Sequence, residues 1–329
     1  RGGLTRAAAP GDTSRSSGRP NPRPAMFTRI AIALLWLLHF LPLSVLAALG
    51  RSLGLLLYKF AARRRFIVRV NLAVCFPELG EEEREAMTRA HMQLLGRSLL
   101  ERGLFWWASR ERLNRLIRVQ GEEKIRALQA EGRPVMLLAP HFVGLDAGGV
   151  AVTMRFDIVS IYAEQSDPVF NRQLLRGRHR FGDQLLLSRR DSPRASVKAM
   201  KSGRPFYYLP DLDFRSPDAI FVPFFGVQAA TITGLSRLSR MAGAVVVPCV
   251  TRMLPGGEGY QVEFGEPWEN YPTEDVEADT RRMNEWIEGA IRTMPEQYYW
   301  VHRRFKSRPE GEIRPYKTEL RAKYWKKSG

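Results

Sequence analysis

The chain has 329 residues, 44% hydrophobic and 26% charged, a composition that excludes disorder over most of its length and supports one large core or two small ones. Lys and Arg outnumber Asp and Glu by 51 to 34, a net charge of +17, which draws either nucleic acid or an anionic membrane surface. The two cysteines, Cys75 and Cys249, are far apart in sequence, so no disulfide framework is expected and the chain reads as reduced and cytosol-facing.

Residues 1–25 are rich in Arg, Gly, Ser and Pro without an apolar run and are expected to be a disordered extension, with the natural start at Met26. Residues 30–49, IAIALLWLLHFLPLSVLAAL, contain no charged side chain. About 20 such residues at ~1.5 Å each cross the hydrocarbon layer of a bilayer, so residues 26–50 are expected to form a membrane anchor helix. His39 and Pro42 interrupt the run, which leaves a buried core helix, or a re-entrant or interfacial helix, as competing readings. Arg29 alone lies between Met26 and the run, whereas Arg51, Lys59, Arg63, Arg64, Arg65 and Arg69 follow it. The positive-inside rule then places the rest of the chain in the cytoplasm.

Residues 51–130 read as a helical, membrane-proximal segment. Its stretch EEEREAMTRAHMQLLGRSLLERGLFWW spaces apolar side chains three to four apart behind an acidic first turn. From Pro134 short apolar runs alternate with helical stretches: PVMLLA, a helix from about Leu145, DIVSIYA, and a basic helix over residues 171–180. FYYLP, AIFVPFF, VVVPCVT and YQVEF follow, the last behind a hairpin-like GGEG turn. Residues 131–311 are therefore expected to form an α/β domain, a mixed and mostly parallel sheet flanked by helices. Residues 312–329 form a basic tail, read either as solvated or as binding lipid head groups.

The stretch carrying chemistry is Ala139-Pro140-His141-Phe142-Val143-Gly144-Leu145-Asp146. An apolar strand ends at Pro140 and small residues open a helix, and ligand sites of α/β sheets lie at the carboxyl ends of strands. On one continuous helix His141 and Asp146 would point about 140° apart, but across a strand-to-helix turn they can converge. Asp146 would then hold one ring nitrogen and leave the other as a base. A structural histidine is the competing reading of that motif alone. No G-x-S-x-G elbow is present, since Gly234-Leu235-Ser236-Arg237-Leu238 lacks the second glycine. There is no H-E-x-x-H, no paired-cysteine ligand set and no phosphate loop, so neither a metal nor a cofactor is expected. A base without a nucleophilic Ser or Cys suits direct transfer, in which an acceptor hydroxyl attacks an acyl carbonyl. Arg172, Arg176, Arg178 and Arg180 could stabilise the oxyanion or clamp phosphate, or could be plain basic surface.

HFVGLD resembles the H-x4-D/E box of glycerolipid acyltransferases. Together with RRRFIVRVNLAVCFPEL, RGRHRFG, YLPDLDF, FVPFFGVQAATITG and PEQYYWVHRRFKSRPEG, it resembles the late acyltransferases of lipid A biosynthesis, from about Met26 to Gly311. The resemblance implies a glycerolipid-acyltransferase-like fold, an acyl carrier protein as donor and a Kdo-bearing, anionic lipid A precursor as acceptor, at the bacterial inner membrane. It further implies His141 as base with Asp146 as its partner, Asp standing where many members carry Glu. Arg178 is implied for the oxyanion or phosphate, and Asp211, Asp213, His302 and Arg303 as candidate substrate-binding residues. Residues 99–107 are read as lining an acyl groove or as plain helix packing. The alternatives kept open are a lysophosphatidic-type glycerolipid acyltransferase, a thioesterase, and a non-enzymatic basic protein binding membrane or nucleic acid. The last lacks any recognised nucleic-acid motif.

Overall fold

The apolar N-terminal run does not form one helix. In this computed structural model, which describes residues 22–188, 191–213, 216–312 and 314–317, α1 (Pro22–Leu38) stops short of Pro42 and α2 (Leu43–Phe60) begins after it. Proline has no N–H to donate and disfavours helical backbone at the residue before it. Arg112 holds the break open by donating to the carbonyls of His39 and Leu41. The single anchor helix expected over residues 26–50 is thus corrected to two helices, of which α2 alone is long and apolar enough to cross a membrane. Both present apolar side chains outward, including Ile30, Leu34, Leu37, Leu49, Leu56 and Phe60. Of the expected extension over residues 1–25, residues 1–21 lie outside the described residues and residues 22–25 open α1 instead of standing apart as a disordered extension. The tail beyond Lys317 also lies outside the described residues.

After α3 (Ala62–Cys75) comes α4 (Glu81–Trp107), antiparallel to α2. The two backbones touch because glycines face each other. A Cβ on Gly54 or Gly96 would overlap the opposite main chain. On α4 the fully buried His91 donates Nδ1–H to the Glu296 carbonyl at 3.0 Å, and its Nε2 has no partner among the described residues. Burial lowers its pKa from 6.5 to about 4 despite that bond. Below pH 6.5 the unfolded chain takes up a proton that the folded one refuses until about pH 4, so stability falls as the pH falls across this window. The loss at this group should reach about 3 kcal/mol. Denaturant melts from pH 7 to 4 should show a shallower acid slope in His91→Gln, and parallel slopes would contradict the assignment.

The sheet-forming part starts earlier than expected. Following α5 (Arg110–Leu116), β1 (Ile117–Gln120) interrupts the expected helical segment, and α6 (Glu122–Ala130) leads to β2 (Val135–Leu138). Then come α7 (Leu145–Thr153), β3 (Val159–Tyr162), α8 (Pro168–Arg178), β4 (Leu185–Ser188), α9 (Pro193–Lys201) and β5 (Phe206–Tyr208). A hairpin of β6 (Ala219–Phe224) and β7 (Val227–Ile232) stands apart from the main sheet. The chain continues through α10 (Gly234–Ala242), β8 (Val245–Met253), β9 (Tyr260–Phe264) and α11 (Val276–Arg292). Seven strands run in the order β1-β9-β8-β2-β5-β3-β4. All pair in parallel except β8 with β9, the expected hairpin. The sheet is therefore mixed and mostly parallel, flanked by helices.

Its central strands β2, β5 and β8 are buried and largely apolar on both faces, as a covered parallel sheet requires. Met136, Leu138, Phe206 and Tyr208 join one core with α10 and α11. Val135, Leu137, Tyr207 and Val247 join the other with α4 and α7. From β2 the chain crosses to β3 on one side, and from β5 it returns to β8 on the other. The crevice between the carboxyl ends of β2 and β5 is therefore the switch point at which α/β sheets bind ligands.

Candidate active site

Two strand ends of similar sequence meet at that crevice. The residue pair Leu138–Tyr208 is in register, and each strand then runs on through a proline, as Ala139-Pro140-His141 and Leu209-Pro210-Asp211. Equal offsets bring His141 and Asp211 side by side. Asp211 Oδ2 accepts the His141 backbone N–H at 2.9 Å, and its Oδ1 meets the ring Nδ1 at 2.7 Å. Asp211 is fully buried. Burial alone would raise its pKa, but the charge of His141 and the hydrogen bonds from its ring and amide outweigh that and hold the carboxyl below its usual value. An ionised Asp211 only accepts, so Nδ1 carries the proton and Nε2 is left with a lone pair.

The C-terminal segment closes over this pair. Tyr299 N–H donates to the His141 carbonyl at 2.9 Å, and Val143 N–H to that of Gln297 at 2.8 Å. The Tyr298 hydroxyl donates to the Asp211 carbonyl at 3.3 Å. Asp213 accepts from the backbone N–H and hydroxyl of Ser307, at 2.6 and 3.0 Å, so the two aspartates divide their work. Asp211 holds the imidazole and Asp213 holds the segment. His302 is lowered to about 4, by burial first and then by the charges of His141 and Arg304. Arg303 lies 5.8 Å from the Tyr316 ring centre. Arg304, unremarked in the sequence, is buried and donates to Ala230 O and Thr231 Oγ1, both at 2.7 Å.

Asp146 is not hydrogen-bonded to His141, which corrects the expected pairing. It lies in the first turn of α7, where α4 faces it and the Arg102 Nε donates to Oδ2 at 2.9 Å. The Asp146 charge is also the main reason that the Arg102 pKa is raised, against burial. No spacing motif announces Arg102. Its only signal is a lone cation within the apolar LLERGLFWW.

His141 and Asp146 nevertheless line one cavity of about 860 Å³, within the size range of ligand pockets. Most of its wall is apolar, including Phe105, Trp106, Val150, Ile158 and Leu186, with Arg178 entering from the end of α8. Of the stretch expected to line a groove, Phe105 and Trp106 reach the cavity, whereas Leu104 is buried in the core. The Arg178 guanidinium lies 5.3 Å from the Tyr162 ring centre. Arg180 instead ties α8 to α4, donating to the carbonyls of Phe105 and Ala108 at 2.6 Å. Asp211, Asp213, His302 and Arg303 do not line the cavity. Among the described residues no group of three or more His, Cys, Asp or Glu is placed to hold a metal ion.

A family model described as bacterial lipid A biosynthesis acyltransferase matches residues 20–307. The chain is 39% identical to the lipid A biosynthesis lauroyltransferase of Escherichia coli K12, over 86% of this chain and 92% of that protein. It is 34% identical to the palmitoleoyltransferase of the same organism, over 87% and 92%, and 30% identical to its myristoyltransferase, over 84% of each. Among solved structures, the 1-acyl-sn-glycerophosphate acyltransferase of Thermotoga maritima superposes with a TM-score of 0.36 at 17% identity, covering 76% of this chain and 97% of that one.

Proposed function

Because the chain belongs to the bacterial lipid A biosynthesis acyltransferase family, and is thus an O-acyltransferase, we propose that its donor is acyl carrier protein and its acceptor a hydroxyl of a Kdo-bearing lipid A precursor. The observation that carries this reading is the imidazole of His141, held through Nδ1 by buried Asp211 at the wall of an apolar cavity. His141 Nε2 takes the acceptor's hydroxyl proton as its oxygen attacks the thioester carbonyl. The tetrahedral oxyanion is stabilised by Arg178. Collapse breaks the C–S bond, and the departing thiolate recovers the proton from the imidazolium. Asp146, neutralised and fixed by Arg102, shares the cavity wall with His141. A covalent route through cysteine is disfavoured. Neither thiol lines the cavity, and burial raises Cys249 to about 12 and Cys75 well above its usual value.

The same reading places the protein at the inner membrane, facing the cytoplasm. The outward apolar faces of α1 and α2 supply the attachment, and Arg63, Arg64 and Arg65 follow α2 where head groups would lie. Arg51 sits in the middle of α2, where a charge at the bilayer centre costs about 2.5–3.5 kcal/mol. A helix embedded at the interface avoids that cost, so embedding is favoured over crossing.

Purified protein given acyl carrier protein thioester should acylate the Kdo-bearing precursor and leave lysophosphatidate untouched. Turnover of lysophosphatidate alone would instead support the smaller-acceptor reading.

A further inference from the structure

The face of α8 that turns away from the catalytic cavity forms a second recess, of about 430 Å³, against α1. Leu174, Gly177 and Arg178 of α8 look into the cavity. Arg172, Gln173 and Arg176 look into the recess, joined by Arg29 and Trp36 of α1 and by Trp107. Arg29, Arg172 and Arg176 take part in no ion pair or hydrogen bond among the described residues. Arg172 and Arg176 are one helical turn apart, and like charges at that spacing repel. Asp167, the nearest acidic residue along α8, is committed elsewhere. It caps α8 through the N–H groups of Val169 and Phe170 and accepts from Thr28 of α1, which ties the two walls of the recess together. Two tryptophans and the outward apolar face of α1 border the cations, the pairing found where a protein meets the head-group layer.

Three unneutralised guanidinium groups over an indole floor call for a ligand that is anionic on one side and apolar on the other. We propose that this recess seats a phosphate group of the acceptor lipid, so that the acceptor straddles α8 with its phosphate on the α1 side and its reacting hydroxyl on the His141 side. Arginine forks suit a phosphate, and α8 with its side chains sets a separation of about 10–12 Å between the two ends. Gly177, pressed on Trp106, and the Arg180 clamp hold the helix in place. The assignment rests on the acceptor class proposed above.

The test is the double variant Arg172→Gln/Arg176→Gln, whose side chains are exposed, with Arg281→Gln on α11 as a charge control. In detergent micelles the double variant should raise KM for the phosphorylated precursor about tenfold or more, with kcat at saturation changed less than threefold. On the precursor stripped of its phosphates, the variant and the parent should match. Equal losses on both acceptors, or no loss on either, would overturn the assignment. So would an unchanged KM accompanied by weaker flotation on phosphatidylglycerol vesicles, which would reassign the recess to bulk bilayer head groups. If the parent transfers no acyl chain to the precursor, the acceptor reading fails by itself. Equilibrium binding of the phosphorylated and stripped lipids to parent and variant then still decides whether the recess recognises phosphate.

Discussion

His141→Ala should lower acyl transfer by about two to four orders of magnitude, the usual contribution of a positioned base, while leaving the protein folded and its membrane attachment unchanged. The ring is only partly buried, with 19% of its side chain exposed, so its removal costs little packing. The backbone bonds of residue 141 to Asp211 and Tyr299 do not need the imidazole. Transfer assays and flotation on the same preparation separate the two effects. Undiminished turnover in a folded variant would take His141 out of the reaction.

Asp211→Asn should cost nearly as much, about two to three orders of magnitude in kcat, although this residue does not reach the cavity. An amide in place of the carboxylate keeps the volume but can present N–H to Nδ1. It thereby favours the tautomer in which Nε2 carries the proton and is no longer a base. It also removes the anion facing the imidazolium. The KM for acceptor should move far less than kcat. Asp146→Asn serves as the comparison, because it strips Arg102 of its partner and leaves the Nδ1 contact intact. If Asp146→Asn proved the more damaging in kcat, with Asp211→Asn close to the parent, the carboxylate nearer in sequence would regain the role.

That contrast marks where the sequence was legible. The apolar runs that became β2, β3, β5, β8 and β9 are continuous enough to be read directly, and the strand-to-helix turn at His141 announced itself through Pro140 and the small residues after it. β1 and β4 are as short as β2 and β3, but IRVQ carries only two apolar side chains and LLLS no β-branched or aromatic one, so neither stands out as a strand. The Asp211 pairing depends on parallel register between strands 70 residues apart, and local spacing carries no trace of that. Asp146 lies five positions from the histidine and so attracted the role, but a helix turn faces it toward α4. The anchor was read as one span because composition outweighed one proline, whereas the backbone obeys the proline. The basic surplus was read as a field for anions, yet Arg112, Arg180 and Arg304 spend their guanidinium groups on backbone carbonyls of their own fold.

The closing segment has a consequence for truncated chains. The carbonyl of His141 is tied to Tyr299, and the loop beyond it to Gln297, while Asp213 waits for Ser307. Tyr298, Trp300 and Phe305 of the same segment also belong to the core on one face of the sheet, so that face and the backbone around His141 are completed together. The site is thus completed by residues that follow the whole sheet in the chain, and a chain lacking them would carry the imidazole without its closing contacts.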